Sequence, residues 1–267
     1  SKIKFILDGA YEFSDEISVG INATYLFGGI NRRKQLVYDD ESFLISRSNS
    51  KINLRGYYFD VGFLYKKTLD EDDEFSLGIT VNNNSPIGAK KNELIQSFEL
   101  IGSNENLVDV VLDVTEWSDM ILPKHIRAGL SYNNKQWLFV ADYSIQNWAD
   151  YSMFNQTDNL SNSMKICGGA QYTPEYNSIT KYYKRMDYRI GFSYSNTPLQ
   201  FEDSQLKEIS VSFGIGIPVS RSRTKYDFSC TLGQRGTLEN NLIKEEFIRL
   251  GLSVSYDGIW FLKRKYD

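Results

Sequence analysis

The sequence predicts an all-β protein, a transmembrane antiparallel β-barrel of the outer-membrane type. Apolar and polar residues alternate in runs of about ten residues, and the connections between these runs are alternately short and long. In addition, no stretch approaches about 18 consecutive apolar residues, which excludes a transmembrane helix. These observations together favour strands that cross a bilayer.

The alternation is clearest over residues 208–217. Ile209, Val211 and Phe213 fall on one face there, and serine and glycine fall on the other. The same period of two recurs over residues 3–13, 17–27, 57–65, 75–81, 126–132, 137–145, 164–172, 186–194, 226–232 and 248–256. We therefore predict about eleven strands of about ten residues each.

The composition of the two strand faces selects the class of β protein. The apolar face is continuous and rich in large rings, and the chain contains 18 Tyr and 16 Phe. The opposite face carries glycine, serine, threonine and asparagine with isolated charges. A transmembrane barrel turns such an apolar face to lipid and the polar face to its lumen. The alternative is a large soluble barrel or sandwich, in which the apolar face would be the core.

Connection lengths provide an independent indication. Short turns are predicted at 14–16, 70–73, 133–135 and 219–222, and long polar segments at 28–53, 83–121, 148–162 and 235–245. Outer-membrane barrels have short periplasmic turns and long extracellular loops. Residues 174–184 and 197–206 are intermediate in length, so the pattern is blurred there.

The order of short and long connections predicts how much of a barrel this sequence contains. Short turns of such barrels are periplasmic, so the short first turn means that the first strand runs from the outside to the periplasm. Strand directions alternate from there, and the eleventh strand therefore also ends at the periplasmic side. Single-chain barrels have an even number of strands with both ends periplasmic. We therefore expect residues 1–267 to be one barrel domain, the C-terminal part of a larger barrel whose first strands lie upstream.

Charge and reactive residues narrow the range of functions. The net charge is −4 with no basic face, so we expect no nucleic-acid partner. Two cysteines, Cys167 and Cys230, and one histidine, His125, are too few for a zinc cluster, and we expect no metal or cofactor. His125 follows Pro123 at a strand end without a nearby serine motif, so we expect no enzyme.

Charged residues of both signs are predicted to point into the lumen. They include Asp8 and form a candidate network of Asp60, Arg127, Asp142, Lys165, Asp187, Arg189, Asp227 and Arg249. Charges are tolerated there only in a wet or mutually paired interior. The set either guides a polar or amphiphilic solute or is a structural ion-pair network that packs against a plug.

Residues 83–121 are too apolar for a bare surface loop. The candidate ligand or partner residues in this segment are Leu94, Phe98, Leu100, Leu107, Val110, Leu112 and Trp117. Two apolar runs around residues 102–104 predict a long extracellular loop or a hairpin above the membrane. Exposed apolar surface of this kind marks a docking face or an amphiphile-binding groove. The alternative is that the segment folds back over the barrel mouth.

Parts of the sequence resemble the outer-membrane long-chain fatty-acid transporter (FadL) family. The resemblance rests on residues 122–132 with Trp137 and Asp142, on residues 188–198, and on the ending 260–267, which is similar to tails of Bacteroidota members. It implies a barrel of fourteen strands with an N-terminal hatch, so about three strands and the hatch would precede Ser1. Family ligand contacts lie largely in those absent parts, and none is carried over.

Two functions are therefore expected as alternatives. The first is transport of fatty acid, a detergent-like molecule or another hydrophobic ligand across the outer membrane of a Gram-negative bacterium. The second is a non-transporting subunit of an outer-membrane protein assembly or secretion complex, which binds partner proteins through its loops. Outer-membrane lipid is the expected surrounding of either protein.

Overall fold

The structure is a computed structural model that describes residues 2–38, 40, 43–102, 104–154, 156, 159–201, 204–219, 224–238 and 242–256. Within this part of the chain the only helices are two short 3-10 turns, Trp148–Asp150 and Tyr182–Arg185. Everything else that is regular is antiparallel strand. The strands are β1 Lys2–Ser14, β2 Ile17–Leu36, β3 Ile45–Asp70, β4 Asp73–Asn82, β5 Pro86–Ile101, β6 Asn104–Ile121, β7 His125–Asn133, β8 Trp137–Gln146, β9 Ser152–Met153, β10 Ser163–Tyr172, β11 Asp187–Phe201, β12 Ser204–Pro218, β13 Thr224–Arg235 and β14 Glu245–Tyr256.

The fourteen strands occupy eleven positions in one sheet. The long strand β3 pairs with β4 along one half and with β5 along the other half. On the far side, β7 pairs with β4 and β6 pairs with β5. The short strand β9 pairs with β6 and so continues the position of β8. The remaining order is β8, β10, β11, β12, β13 and β14. The prediction of an all-β barrel-type sheet with about eleven strands is confirmed. In the described residues, β1 and β14 each pair with one strand, so the sheet is open between them.

The two faces of the sheet have the predicted character. On β11 the side chains of Tyr188, Ile190 and Phe192 are exposed on one face, and Asp187 and Arg189 lie on the other. Pairs of aromatic rings are in contact near both ends of the apolar face. Trp137 and Tyr172 are 4.4 Å apart at one end, and Tyr25 and Tyr57 are 4.6 Å apart at the other. Aromatic girdles at both interfaces are typical of membrane barrels.

The two ends of the sheet differ more than the sequence indicates. At one end the turns 15–16, 71–72 and 134–136 are short, and the longer connection 173–186 lies at the same end. At the other end the predicted loop 28–53 is wrong in extent, because β2 continues to Leu36 and β3 begins at Ile45. Residues 197–206 are also mainly strand there, because β11 and β12 extend through most of this segment.

Four strands therefore extend beyond their neighbours. We call residues 28–36, 45–55, 86–101 and 104–121 the extension; they are the upper parts of β2 and β3 together with all of β5 and β6. Residues 83–121 thus form a hairpin in which Ile101 pairs with Asn104, and Gly102, which follows Ile101, has a φ of +64°. The left-handed backbone of this turn suits glycine.

The extension joins the rest of the sheet at a seam, residues 83–85 and 122–124, where β4 and β5 and also β6 and β7 are interrupted side by side. Asparagine side chains replace the missing ladder bonds. The backbone N–H of Phe59 donates to Asn83 Oδ1 at 2.8 Å, and that of His125 donates to Asn82 Oδ1. Asn82 Nδ2 also donates to the carbonyl of Pro123 at 3.3 Å. The backbone groups named here are therefore satisfied despite the breaks.

Candidate functional site

The inward face carries a compact charged cluster near the short-turn end of β10 to β13. Asp187 is only 2% exposed. Its carboxylate accepts from Arg189 Nη2 at 3.0 Å, from Lys225 Nζ at 2.5 Å and from Thr173 Oγ1 at 2.7 Å. Arg189 also bridges to Asp227 Oδ1 at 2.5 Å. The buried carboxylate is therefore matched by two cations, as a buried charge requires.

The structure brings only part of the predicted luminal set together. Asp187, Arg189 and Asp227 form the charged cluster, and sequence reasoning missed Lys225 and Thr173. Within the described residues, Asp60, Arg127, Asp142, Lys165 and Arg249 form no ion pair. They are spread over several strands of the inward face.

One inward cleft collects two of the dispersed residues. Asp60 and Arg127 line a space of about 400 Å³ together with Lys4, His125 and Trp148. Arg127 Nε donates to His125 Nε2 at 2.5 Å, so this ring nitrogen accepts a hydrogen bond from a cation. The cleft offers charges of both signs and the chain's single histidine.

The cysteines and the acidic turn have structural surroundings. Cys167 lies 3.6 Å from Ser193 Oγ on the inward face, Cys230 lies on the outer face between Phe213 and Leu250, and both are free thiols. In the turn before β4, Asp72 pairs with Lys135. The Asp72 carboxylate raises the pKa of Lys135 through this hydrogen bond.

The inner face of the extension is packed. Leu26, Ile52, Leu54, Ile87, Ala89 and Met120 form a buried apolar cluster. Ile87 is fully buried, and it packs on Gly56, where an added Cβ would lie 2.8 Å from Ile87 Cδ1. Tyr151, Met153 and Phe154, from the connection after β8, pack against this cluster. The segment around residues 151–154 therefore covers the inner face of the extension, whereas residues 86–121 form a hairpin that continues the sheet.

The outer face of the extension is held by a transverse ladder. Arg47 lies over the ring of Phe98, with 4.3 Å from Cζ to the ring centre, and its Nη2 is 2.5 Å from Glu105 Oε2. Arg47 also donates to Gln35 Oε1 at 3.3 Å. The four side chains come from β2, β3, β5 and β6, so one arginine ties all four strands together. Of these residues, only Phe98 was singled out from the sequence.

The last strand of the extension, β6, is a long edge. Residues 104–119 pair with β5 on one side only, and β9 covers just Met120 and Ile121. Register shifts leave Val108 and Val111 as bulged residues. Leu107, Val110 and Trp117 are exposed, Trp117 to 73%. The candidate residues Leu94, Phe98, Leu100 and Leu112 lie on or beside this edge, and Phe98 alone among them is buried.

The charge of this edge is of one sign. Between Asn104 and Ile121 the chain has five acidic residues and no basic one, namely Glu105, Asp109, Asp113, Glu116 and Asp119. In the described part of the chain only Glu105 forms an ion pair. The β6 edge therefore combines unpaired backbone groups, exposed aliphatic side chains and negative charge.

The described residues lack two other kinds of feature, a membrane-spanning helix and a cluster of metal-binding side chains. Among the described residues, no helix has the length and hydropathy needed to cross a bilayer. In the same part of the chain, no three histidine, cysteine, aspartate or glutamate residues are grouped as metal ligands would be.

Solved structures that share this fold include outer-membrane channels and a peptide importer. The chain is similar to the CymD monoaromatic hydrocarbon channel, with a TM-score of 0.55 and 14% identity over 95% of this chain and 72% of that one. The TodX monoaromatic hydrocarbon channel (a deltaS2 mutant) gives a TM-score of 0.50 and 13% identity over 95% and 69% of the two chains. The RagAB peptide importer in its "closed-closed" state gives 0.54 and 10% identity over 95% and 33%.

The family to which the sequence belongs differs from the families of the proteins that share its fold. No curated protein matches the chain in sequence. The profile of the BamG family matches residues 3–267, nearly the whole chain. The resemblance noted in the sequence thus holds for the fold, whose neighbours include the two hydrocarbon channels, but the family that matches is a different one. The chain belongs to the BamG family.

Proposed function

We propose that this chain is part of an outer-membrane barrel that acts as a non-transporting subunit of an outer-membrane protein assembly or secretion complex. It binds a partner protein through the extension. The observation that carries the proposal is the β6 edge, residues 104–119, which is unpaired on one side within the described chain. Membership in the BamG family, rather than in the fatty-acid transporter family, supports this choice.

The β6 edge has the features of a strand-addition surface. An unpaired strand presents a row of N–H and C=O groups that another chain can pair with. The exposed side chains of Leu107 and Val110 would supply apolar contact, and about sixteen residues of edge are more than an average strand requires. The acidic residues of the edge favour a partner strand that carries lysine or arginine.

The packing of the inner face supports binding at the outside of the sheet. The segment around Tyr151 and Phe154 covers the buried cluster of Ile87 and Leu54, so a partner cannot use that face without displacing it. The charged cluster around Asp187 fills part of the inward face near the other end with paired groups. Both features are those of a structural lumen.

Intact mass measurement of complexes extracted in mild detergent tests the proposal. The native protein should carry other proteins at fixed stoichiometry. Leu107→Lys combined with Val110→Lys should remove them, because these changes put positive charge and polar groups on the β6 edge. Ile179→Lys is the matched control, since Ile179 is 99% exposed in the connection at the opposite end. A complex that survives the double substitution would refute binding through this edge.

Transport of a hydrophobic or amphiphilic small molecule is the second candidate. It is favoured by the likeness of the fold to the CymD and TodX hydrocarbon channels. The same measurement separates the two functions. A fatty acid or other apolar molecule released in stoichiometric amount from a barrel without protein partners would support transport and overturn the assembly role.

We also propose that the chain is not an enzyme and that it resides in the outer membrane of a Gram-negative bacterium. The contact of His125 with Arg127 supports the first, and the barrel fold supports the second. The assignment to Bacteroidota rests on the resemblance of residues 260–267, which lie outside the described residues. We further propose that strands outside this sequence complete the barrel, because the sheet formed by the described residues is open between β1 and β14.

A further inference from the structure

The outer face of the sheet changes from apolar to polar at one level across four neighbouring strand positions. On β2 the change falls between Phe27 and Gly29, and on β3 between Tyr57 and Arg55. On the next two positions it falls across the seam, where Gly88 and Asp119 follow the apolar ends of β4 and β7. In an outer-membrane barrel such a change marks the upper border of the lipid-facing surface.

The height of the apolar surface agrees with a bilayer. Residues 17 to 27 of β2 alternate with apolar side chains outward. Ten residues of strand at the usual tilt rise about 25 Å, which is the height of the apolar band of an outer-membrane barrel. A feature at the level of Phe27 therefore lies among lipid head groups.

A cleft opens at that level. It has a volume of about 800 Å³, and its outward lining includes Tyr25, Phe27, Arg55, Lys90, Trp117 and Asp119. Gly88 lies between Arg55 and Asp119 in the register of β3, β5 and β6, so no side chain fills the space between them. The missing side chain of Gly88 is what makes room for a ligand.

Two cations and one carboxylate face this space. Lys90 Nζ is held 4.8 Å from the ring centre of Trp117, and Arg55 is exposed. Neither cation forms an ion pair with another described residue. Arginine and lysine at a membrane border bind lipid phosphates, and arginine can do so through two parallel hydrogen bonds. The Asp119 carboxylate, when ionised, only accepts hydrogen bonds, so it suits the hydroxyl groups of a ligand.

We propose that this cleft binds the head group of a phosphorylated glycolipid of the outer leaflet. Arg55 and Lys90 contact its phosphate, and Asp119 accepts hydrogen bonds from its sugar hydroxyl groups. Phe27 and Tyr25, at the top of the apolar surface, contact the beginning of an acyl chain. The site rests on a different observation from the proposed partner binding: its two cations, Arg55 and Lys90, lie on β3 and β5, and only Trp117 and Asp119, at the lower end of the β6 edge, are shared with it.

Native mass spectrometry of the full-length protein with added lipid tests the site. The probe is bisphosphorylated lipid A, compared with lipid A from which both phosphates have been removed, with phosphatidylethanolamine and with inorganic phosphate. We expect one tightly bound copy of the bisphosphorylated lipid, and affinity about tenfold or more weaker in the Arg55→Ala, Lys90→Ala double variant. Removal of the phosphates should weaken binding to a similar extent.

A charge-matched control keeps the result specific. Arg32→Ala with Lys34→Ala removes the same charge from the opposite face of the extension and should leave lipid binding unchanged. Asp119→Ala should weaken the glycolipid more than it weakens a phosphorylated lipid without sugar. If the Arg55, Lys90 double variant does not fold, the single Lys90→Ala variant should still lose several-fold in affinity. Equal binding by the parent and the cation variants, or binding that does not depend on the phosphates, would overturn the site.

Discussion

The two faces of the extension are built from the same four strands, yet only one of them is covered. The inner face packs Ile87, Leu54 and Met120 beneath Tyr151 and Phe154. The outer face carries the Arg47 ladder, and its last strand exposes Leu107 and Val110 to solvent. Hydrophobicity alone does not distinguish the two sides. The difference is that one apolar surface has a cover from the same chain, and the other does not.

This contrast indicates where stability and where binding reside. Substitutions on the covered face should lower the free energy of unfolding. They should affect partner binding only by reducing the amount of folded protein. Substitutions on the bare side should change binding with little effect on stability. The following predictions test that separation, beginning with the largest expected effect.

Ile87→Ala should be the most destabilising change. Ile87 is fully buried, and removal of its outer carbons leaves a cavity next to Gly56 that cannot close without backbone movement. We expect a loss of about 3 kcal/mol in the free energy of unfolding, measured by denaturant titration in detergent micelles. Val110→Ala on the bare side should change the same quantity by less than about 0.5 kcal/mol. Equal losses for the two variants would contradict the contrast between the faces.

Asp187→Ala should come next, because it leaves Lys225 and Arg189 without their shared carboxylate. The expected loss of unfolding free energy is about 2 kcal/mol, reduced from that of a fully buried pair because both cations are about one third exposed. Asp142→Ala removes an inward carboxylate that has no ion pair in the described chain and should have a smaller effect. In a double-mutant cycle, Lys225→Ala should cost less in the Asp187→Ala background than in the parent.

Arg47→Ala should loosen the extension locally. It removes the contact with the Phe98 ring and the ion pair with Glu105, and we expect about 1 kcal/mol of local stability to be lost. Hydrogen exchange of the amides near the tip of β5 and β6 should become about fivefold faster, with the amides of β11 and β12 unchanged. Lys51→Ala, on the same face of β3 and without an ion pair among the described residues, is the control. Uniform acceleration across the whole sheet would contradict a local role.

The smallest effect concerns the connection 173–186, at the opposite end from the extension. Lys184 Nζ donates to Glu175 Oε2 at 2.9 Å, and this hydrogen bond lowers the pKa of the Glu175 carboxyl below its usual range. The contact is therefore complete above the ordinary glutamate pKa and is lost as the pH falls through the lowered one. A carbon NMR titration of Glu175 should show the lowered pKa, and Lys184→Gln should raise the pKa towards the ordinary value, because Lys184 is the largest cause of the lowering. Identical titration curves in the two proteins would contradict the pairing.

The sequence predicts the membrane-facing part of the strands well, because lipid on one side and a polar lumen on the other impose a strict period of two. All eleven predicted runs correspond to strands of the sheet. The upper parts of β2 and β3 escaped prediction. Residues 31–34 and 46–51 are polar on both faces, so no alternation marks them as strand. Their pairing depends on tertiary contacts such as the Arg47 ladder.

The candidate sites were predictable to a lesser extent. The alternation of side chains along the strands is enough to assign Asp187, Arg189 and Asp227 to the inward face, and Arg189 forms ion pairs with both aspartates. Lys225 is two residues before Asp227 and therefore also points inward, which the sequence could have indicated. Lys225 was missed because it precedes the apolar run 226–232 from which the strand was predicted. The cover formed by residues 151–154 had no signal of its own, since its apolar side chains follow no period. Neither did the lipid cleft, which depends on the register that places Gly88 between Arg55 and Asp119.

The seam described above has a consequence for how such a protein can change over time. β4 and β7 pair directly, with Val81 opposite Ile126, so the barrel ladder closes below the β5 and β6 hairpin without using it. Asparagine side chains at residues 82 and 83 already satisfy the backbone where the hairpin departs. Residues 86–121 therefore form an insertion that the pairing of the membrane strands does not require. They can be lengthened, exchanged or lost by insertion and deletion while the register of the neighbouring membrane strands stays as it is.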